Sequence, residues 1–474
     1  MRTSPPGGAG SSANFLAPPI DGPARRSALT RESGLDAVTL LTVYLILLFF
    51  IPSTLVFGPL GGAGTPAVVF VLFILLWYIA SWINGRVTPS GGGRPMRLAM
   101  LGFSLAVLAS FVAAMTRNIT QLEVLGADRG LIILTSWVSL IVVMSQSVTR
   151  YDRLEILLRR AVIGGSVVGA IGIVQYKTGL NITRYLQIPG LVPRVDITTL
   201  LTRNGLNRPS STATQPIEFG VVMAMLLPIA LQQALSSSRR GITNEKFRRW
   251  APVILIATGM MVSVSRSGLV GAAAGMLFLL PTWSRQRRYT ALIATVFGAL
   301  ALKAVAPGLI HTFITYFSEL FGNSNPYATA QARTGDYGFV FQYVSERPLF
   351  GMGFGTFTPQ IYIFTDDSYL NSLAAIGFVG VAALVVLYCS GLHCAAAGRR
   401  RTSDEQRRET GQGLVAAIVV GIVASATFDA LSFPMFSGVF FLIMGAAAAY
   451  LGIMTAESRS AGYPVQPARK RQLA

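Results

Sequence analysis

Charge is scarce in this chain. Asp, Glu, Lys and Arg make up 12% of its 474 residues, about half the share found in an ordinary soluble domain. Because 52% of the residues are hydrophobic, that balance excludes a soluble globular protein. Histidine and cysteine are scarcer still. With His311 and His393 as the only histidines and Cys389 and Cys394 as the only cysteines, no zinc-ligand spacing exists and no structural disulfide is expected. Both cysteines close the tenth apolar run described below, on the reducing side of a membrane. Lysine is nearly absent, 4 residues against 35 arginines, a bias that fits a GC-rich coding sequence better than any mechanism. Acids are outnumbered too, 20 against 39 basic residues, for a net charge of +19. Taken alone, that excess would suggest a nucleic-acid partner; the placement of the charges decides otherwise. No short internal repeat is visible. No cleavable signal peptide is expected either, since the first long apolar run begins only near Ala37 and is long enough to span.

What the chain has in abundance is apolar runs. A hydrocarbon core takes about 20 residues of helix, and runs of that order recur at 37–57, 66–84, 97–115, 130–148, 161–176, 217–235, 251–264, 267–283, 289–306, 368–392, 412–428 and 434–454. They describe an all-α polytopic membrane protein of about 12 transmembrane helices. Only "SRS" separates the seventh and eighth runs, so a single re-entrant hairpin is the alternative there. With the N-terminus inside, 28 of the 39 basic residues fall in cytoplasmic segments, whereas the outer loops hold 11 basic and 10 acidic residues. This asymmetry is the positive-inside rule. It turns the basicity into a topology signal that also favours anionic membrane lipids, and no nucleic acid is expected. Residues 1–36, rich in Gly, Pro, Ser and Ala, read as a disordered cytoplasmic tail, residues 37–454 as the transmembrane bundle, and residues 455–474 as a second disordered cytoplasmic tail.

Polar residues concentrate in two long extracytoplasmic loops, 177–216 and 306–367, the larger of them partly helical. Loops of such length are functional or disordered. The aromatics running through the second, from Phe313 to Tyr343, argue against disorder. Its "LIHTFITYFSELF" has the spacing of a helix lying flat at the interface or capping the bundle. Arg266, in "VSVSRSGLVGAAAG", stands between two apolar runs with no acidic neighbour in sequence. An ionisable group at that depth is a functional candidate; the alternative is a side chain snorkelling to the outer headgroups. The Gly268, Gly271, Gly275 ladder behind it suits close helix packing. Asp366 and Asp367 stand at the mouth of the tenth run. One Asp in that place makes a good helix cap; two suggest a general base facing a cationic cavity. In "LFGMGFGTF", Gly351, Gly353 and Gly355 could let backbone amides approach phosphate, with a tight turn as the competing explanation.

Three ordered segments resemble the O-antigen ligase and O-antigen polymerase family, integral-membrane enzymes that transfer a glycan from a polyprenyl diphosphate carrier. They are "RPSSTATQPIEFGVVMAMLLPIA" (208–230), "SVSRSGLVG" (263–271), and "ARTGDYGFVFQYVSERPLFGMGFGTF" (332–357) followed by "DDSYLNSLAAIGFVG" (366–380). The resemblance implies a glycosyltransferase without metal or cofactor. Such an enzyme would transfer or polymerise glycan from a polyprenyl-diphosphate-linked donor onto the hydroxyl of a glycan, lipid or surface-polymer acceptor. The reaction would take place on the outer face of a bacterial cytoplasmic (inner) membrane, with both termini cytoplasmic. It makes Arg208, Arg266, Asp366 and Asp367 the candidate catalytic residues, and Arg333, Arg203, Tyr369, Gly353 and Gly355 the candidate substrate-binding ones. Arginine suits a diphosphate because its planar, permanently charged fork pairs with phosphate oxygens. Fixed cations also favour the transition state, in which those oxygens gain charge.

Many ligases of the family carry His where this chain has Asp366. The Asp form resembles the polymerase-like branch, so a histidine-based mechanism is not carried over, and His311, far upstream, is given no catalytic role. Two other classes compete. A transporter or lipid-linked oligosaccharide flippase should show two similar halves with helices broken at matching positions, and no such symmetry is visible. A non-catalytic scaffold would not need the arginines and the acid pair to meet in one cavity.

Overall fold

The computed structural model describes residues 36–85, 92–195, 200–203, 205–238, 246–291, 340–358, 361–362 and 367–460, with residues 293, 308 and 338. Among them, α1 spans Ala37–Phe50, α2 Pro66–Ile83, α3 Arg94–Met115, α4 Gln121–Ser147, α5 Tyr151–Thr178 and α6 Pro216–Ser238. Then follow α7 Lys246–Val262, α8 Arg266–Leu279, α9 Ser368–Arg400, α10 Glu405–Ser425 and α11 Pro434–Ser460. Among the described residues, seven helices, α2 to α6 with α9 and α11, are long and apolar enough to cross a membrane. α1 and the stretch Arg266–Thr282 are shorter apolar helices. The predicted ninth run, 289–306, lies almost wholly outside the described residues, as does "LIHTFITYFSELF".

Local chemistry sets the boundaries. Pro52 ends α1 at Phe50, short of the predicted 57, because the residue before a proline is pushed out of the helical region. Leu55–Val56 then forms β1, which pairs antiparallel with β2, Val192–Pro193. α4 starts with a complete capping box between Thr120 and Glu123. α5 stops at Gly179, which takes φ +70, the left-handed conformation glycine adopts past a helix end. α7 and α8, joined by the Ser263–Ser265 turn, share α6 as a partner but differ in the second one: α7 packs also on α5, and α8 on α10. Two short ribbons are an addition to the expected all-α fold: β1 with β2, and β3 (Leu201–Arg203) with β4 (Leu206–Arg208). At the other end, α11 continues to Ser460, past the predicted limit at 454.

The core sits around α11, buried without a break from Pro434 to Leu451. A helix apolar on every side belongs inside, and α11 runs against α4 and α9 and touches α6 and α10. Trp137 of α4 stacks on Phe441 of α11 with ring centres 4.5 Å apart. Lipid tails are as apolar as leucine, so the helices must gain by close packing instead. On α5, a Cβ at Gly169 would lie 2.6 Å from the Leu255 carbonyl, and one at Gly172 2.4 Å from the Phe219 ring.

Polar side chains collect at two opposite ends. At one end Tyr151 meets Thr410 at 2.8 Å, Arg287 meets Glu409 at 2.7 Å, and Arg407 pairs with Glu457. The other end carries the candidate site.

Candidate functional site

Helix N-termini crowd this second end. Those of α6 and α11 meet at Glu218, whose buried carboxylate accepts from Thr214 N (2.7 Å), Met435 N (2.8 Å) and Phe436 N (3.0 Å). Such N-termini carry partial positive charge and free N–H donors, so a carboxylate here caps two chain segments at once. α8 starts beside α6: a Cβ on Gly268 would be 3.1 Å from Gly220 backbone, and one on Gly220 2.4 Å from Ser263 Oγ. Further along, Gly271 and Gly275 of α8 meet Val420 and Ala416 of α10 in antiparallel order. That register sets Arg266, the first residue of α8, level with the C-terminal end of α10.

Arg266 and Arg208 are both held next to strained backbone. Ser265 caps α8, its Oγ accepting from Gly268 N at 3.2 Å. Val264 before it has φ +50, a true outlier for a β-branched residue. Arg208 ends β4, in register with Leu201. Three residues on, buried Ser211 has φ +55. It is fixed by Oγ donating to the Val168 carbonyl at 2.7 Å and N donating to Gln175 Oε1 at 2.8 Å. Thr212 Oγ1 donates to the Phe49 carbonyl at 2.7 Å and ties the same turn to α1. Arg203 lies in β3, opposite Leu206. Arg333 and Asp366 fall outside the described residues.

Asp367 caps α9: its Oδ1 accepts from Tyr369 N at 2.8 Å. Beside it lies an acid that the sequence reading passed over. Asp429 accepts from Ser432 Oγ at 2.5 Å, Asn371 Nδ2 at 2.8 Å and Ser368 Oγ at 3.3 Å. Burial raises its pKa above the usual carboxylate range and the Asp367 charge adds to this, while those three hydrogen bonds oppose it. The Tyr369 hydroxyl is committed to the Ile422 carbonyl at 3.0 Å and fastens α9 to α10.

The glycine-rich segment is inserted into a break in α9. Gly377 takes φ 64 and ψ −171 inside that helix, which frees backbone groups on both sides. Met352 N and Gly353 N donate to the Ala374 and Ala375 carbonyls, while Phe378 N and Val379 N donate to those of Pro348 and Leu349. Broken helices at membrane depth need partners of this kind. The Gly353 amide is thus engaged by protein. Gly355 lies against α4, where a Cβ would stand 2.3 Å from the Gly126 carbonyl. The segment is pinned again by Glu123, which accepts from Arg117 Nη2 at 2.5 Å and from the Tyr362 hydroxyl at 2.6 Å. Burial and that donation push the Tyr362 hydroxyl up to about 12.

Arg266 and both glycines fall within one recognisable stretch. Residues 251–385 match the O-antigen ligase family. The match supports assignment to the O-antigen ligase/polymerase family, as the three segments lead one to expect. It runs from α7 into α9, so it takes in Arg333, Asp366, Asp367 and Tyr369 but leaves Arg203 and Arg208 outside. No match to a curated protein accompanies it.

Proposed function

We propose that the protein is a membrane glycosyltransferase of cell-surface polysaccharide assembly. It transfers or polymerises glycan from a polyprenyl-diphosphate-linked donor onto an acceptor hydroxyl, at the outer face of a bacterial cytoplasmic membrane. The acceptor oxygen attacks the anomeric carbon, the bond from that carbon to the diphosphate breaks, and polyprenyl diphosphate departs. Arg208 and Arg266, with Arg333 and Arg203 as further candidates, hold the phosphate oxygens as charge builds on them. The hydroxyl proton passes to an acid of the Asp366, Asp367 and Asp429 group. Cations supply the stabilisation that a metal would otherwise give, so the reaction proceeds with metal chelated.

The observation that carries this reading is backbone strain flanking both arginines at the same end of the bundle. Non-glycine residues at positive φ cost about 1–3 kcal/mol each and cluster at functional sites. Val264 and Ser211 are the non-glycine examples among the described residues, and they lie two and three positions from Arg266 and Arg208. The test is to incubate purified protein with a polyprenyl-diphosphate oligosaccharide in chelator and follow released polyprenyl diphosphate. Release by the wild type, lost in a folded Arg266→Ala variant, supports the proposal. Equal release by that variant sinks it.

A further inference from the structure

The Gly58–Ala63 turn brings together two arginines that the transfer reaction does not use. Arg129 comes from α4 and Arg194 follows β2 directly. A Cβ on Gly61 would stand 2.6 Å from Arg129 Cζ, and one on Gly62 2.6 Å from Arg194 Nη1. Two guanidinium groups therefore rest on adjacent residues of one turn. Gly61, at φ 52 and ψ −132, holds a conformation that suits glycine alone. Both arms are anchored: Arg194 N donates to the Thr54 carbonyl at 2.8 Å beside the β1–β2 ribbon, and Arg129 is carried by the third turn of capped α4.

Such a pair repels itself. Among the described residues neither arginine forms a salt bridge, and Arg129 Nε is buried without a hydrogen-bond acceptor. Burial, then the Arg129 charge, lower the Arg194 pKa, and Glu218 acts the other way. Glu218, however, is already committed to three backbone N–H groups. Arg194 keeps an exposed face to solvent, so a ligand can reach the pair, and a buried donor on Arg129 beside two like charges on one turn is stabilised by an anion. A carboxylate is satisfied by one guanidinium fork, whereas a phosphate has oxygens enough for two.

We propose that Arg129 and Arg194 form a phosphate-binding subsite on the Gly61–Gly62 turn, separate from the diphosphate cradle of Arg208 and Arg266. The subsite stands whether or not the protein transfers glycan, because its test is binding. Full-length protein in detergent is titrated calorimetrically with inorganic pyrophosphate. In the Arg208→Gln/Arg266→Gln variant, binding should persist; adding Arg129→Gln and Arg194→Gln should weaken it at least tenfold. Complete loss in the first variant, or retention in the second, overturns the subsite. Should the fourfold variant fail to fold, Arg194→Lys in the first background replaces the fork by a point charge and should weaken binding; unchanged affinity there overturns the proposal equally. Two sources of phosphate are separated by repeating the titration in nanodiscs. Competition by phosphatidylglycerol, absent with phosphatidylcholine, identifies a lipid headgroup, and its absence identifies a soluble or substrate phosphate; either result upholds the subsite.

Discussion

The backbone around Arg266 is closely held: Ser265 just before it caps α8, Val264 before that serine is strained, and Gly268 draws the helix against α6. If it stabilises the departing diphosphate, Arg266→Ala should lower the transfer rate by about 10²–10³-fold, measured as polyprenyl diphosphate release at equal folded protein. Arg266→Lys should recover little, since a point charge does not reproduce the bidentate fork. Full rescue by lysine would reduce the role to charge alone. Asp429 yields a prediction about pH. Its folded-state pKa is raised, so the folded protein holds this proton more tightly than the unfolded chain does. The stabilisation is complete below the ordinary carboxylate range and is lost as pH rises through the raised value. Asp429→Asn fixes a neutral side chain. As pH rises above the ordinary carboxylate range, the wild-type Tm should therefore fall relative to that of the variant. Parallel profiles would mean that Asp429 does not titrate there.

At the scale of elements, the break in α9 and the segment lodged in it form one device. Gly377 lies at φ 64, and a Cβ there would meet the Leu349 carbonyl at 2.4 Å. Gly377→Ala should cost about 3 kcal/mol from backbone strain and overpacking combined. The Tm in detergent should fall and transfer should fall with it; an unchanged Tm would show that the break gives way freely. The start of α9 was legible, because Asp367 precedes an apolar run and a cap was among the readings of it. The insertion was not, because its partners are brought together only by tertiary packing. Tyr362 lies 239 residues from Glu123, and Met435 lies 217 residues from Glu218, so neither buried acid announces its role in sequence. The β3–β4 ribbon did leave a sign, the Asn204–Gly205 pair between "LTR" and "LNR", a hairpin signal overshadowed by the apolar periodicity of the spans.

For the whole molecule, charge and polarity divide the bundle. Arg287, Glu409, Arg407 and Glu457 tie together the end where the basic segments lie, while Glu218, Asp367 and Asp429 cluster at the end with the candidate site. The positive-inside asymmetry predicts that the first end faces the cytoplasm, and the proposed reaction requires the second to face outward. Orientation can be tested without assaying transfer. In a Cys389→Ser/Cys394→Ser background, a single cysteine is placed at Tyr185, 63% exposed in the first long loop, or at Ser403, exposed between α9 and α10. A membrane-impermeant maleimide applied to intact spheroplasts should label Tyr185→Cys directly and Ser403→Cys only after permeabilisation. The reverse pattern would put the strained arginines on the cytoplasmic side, where an outward-facing transfer reaction could not use them.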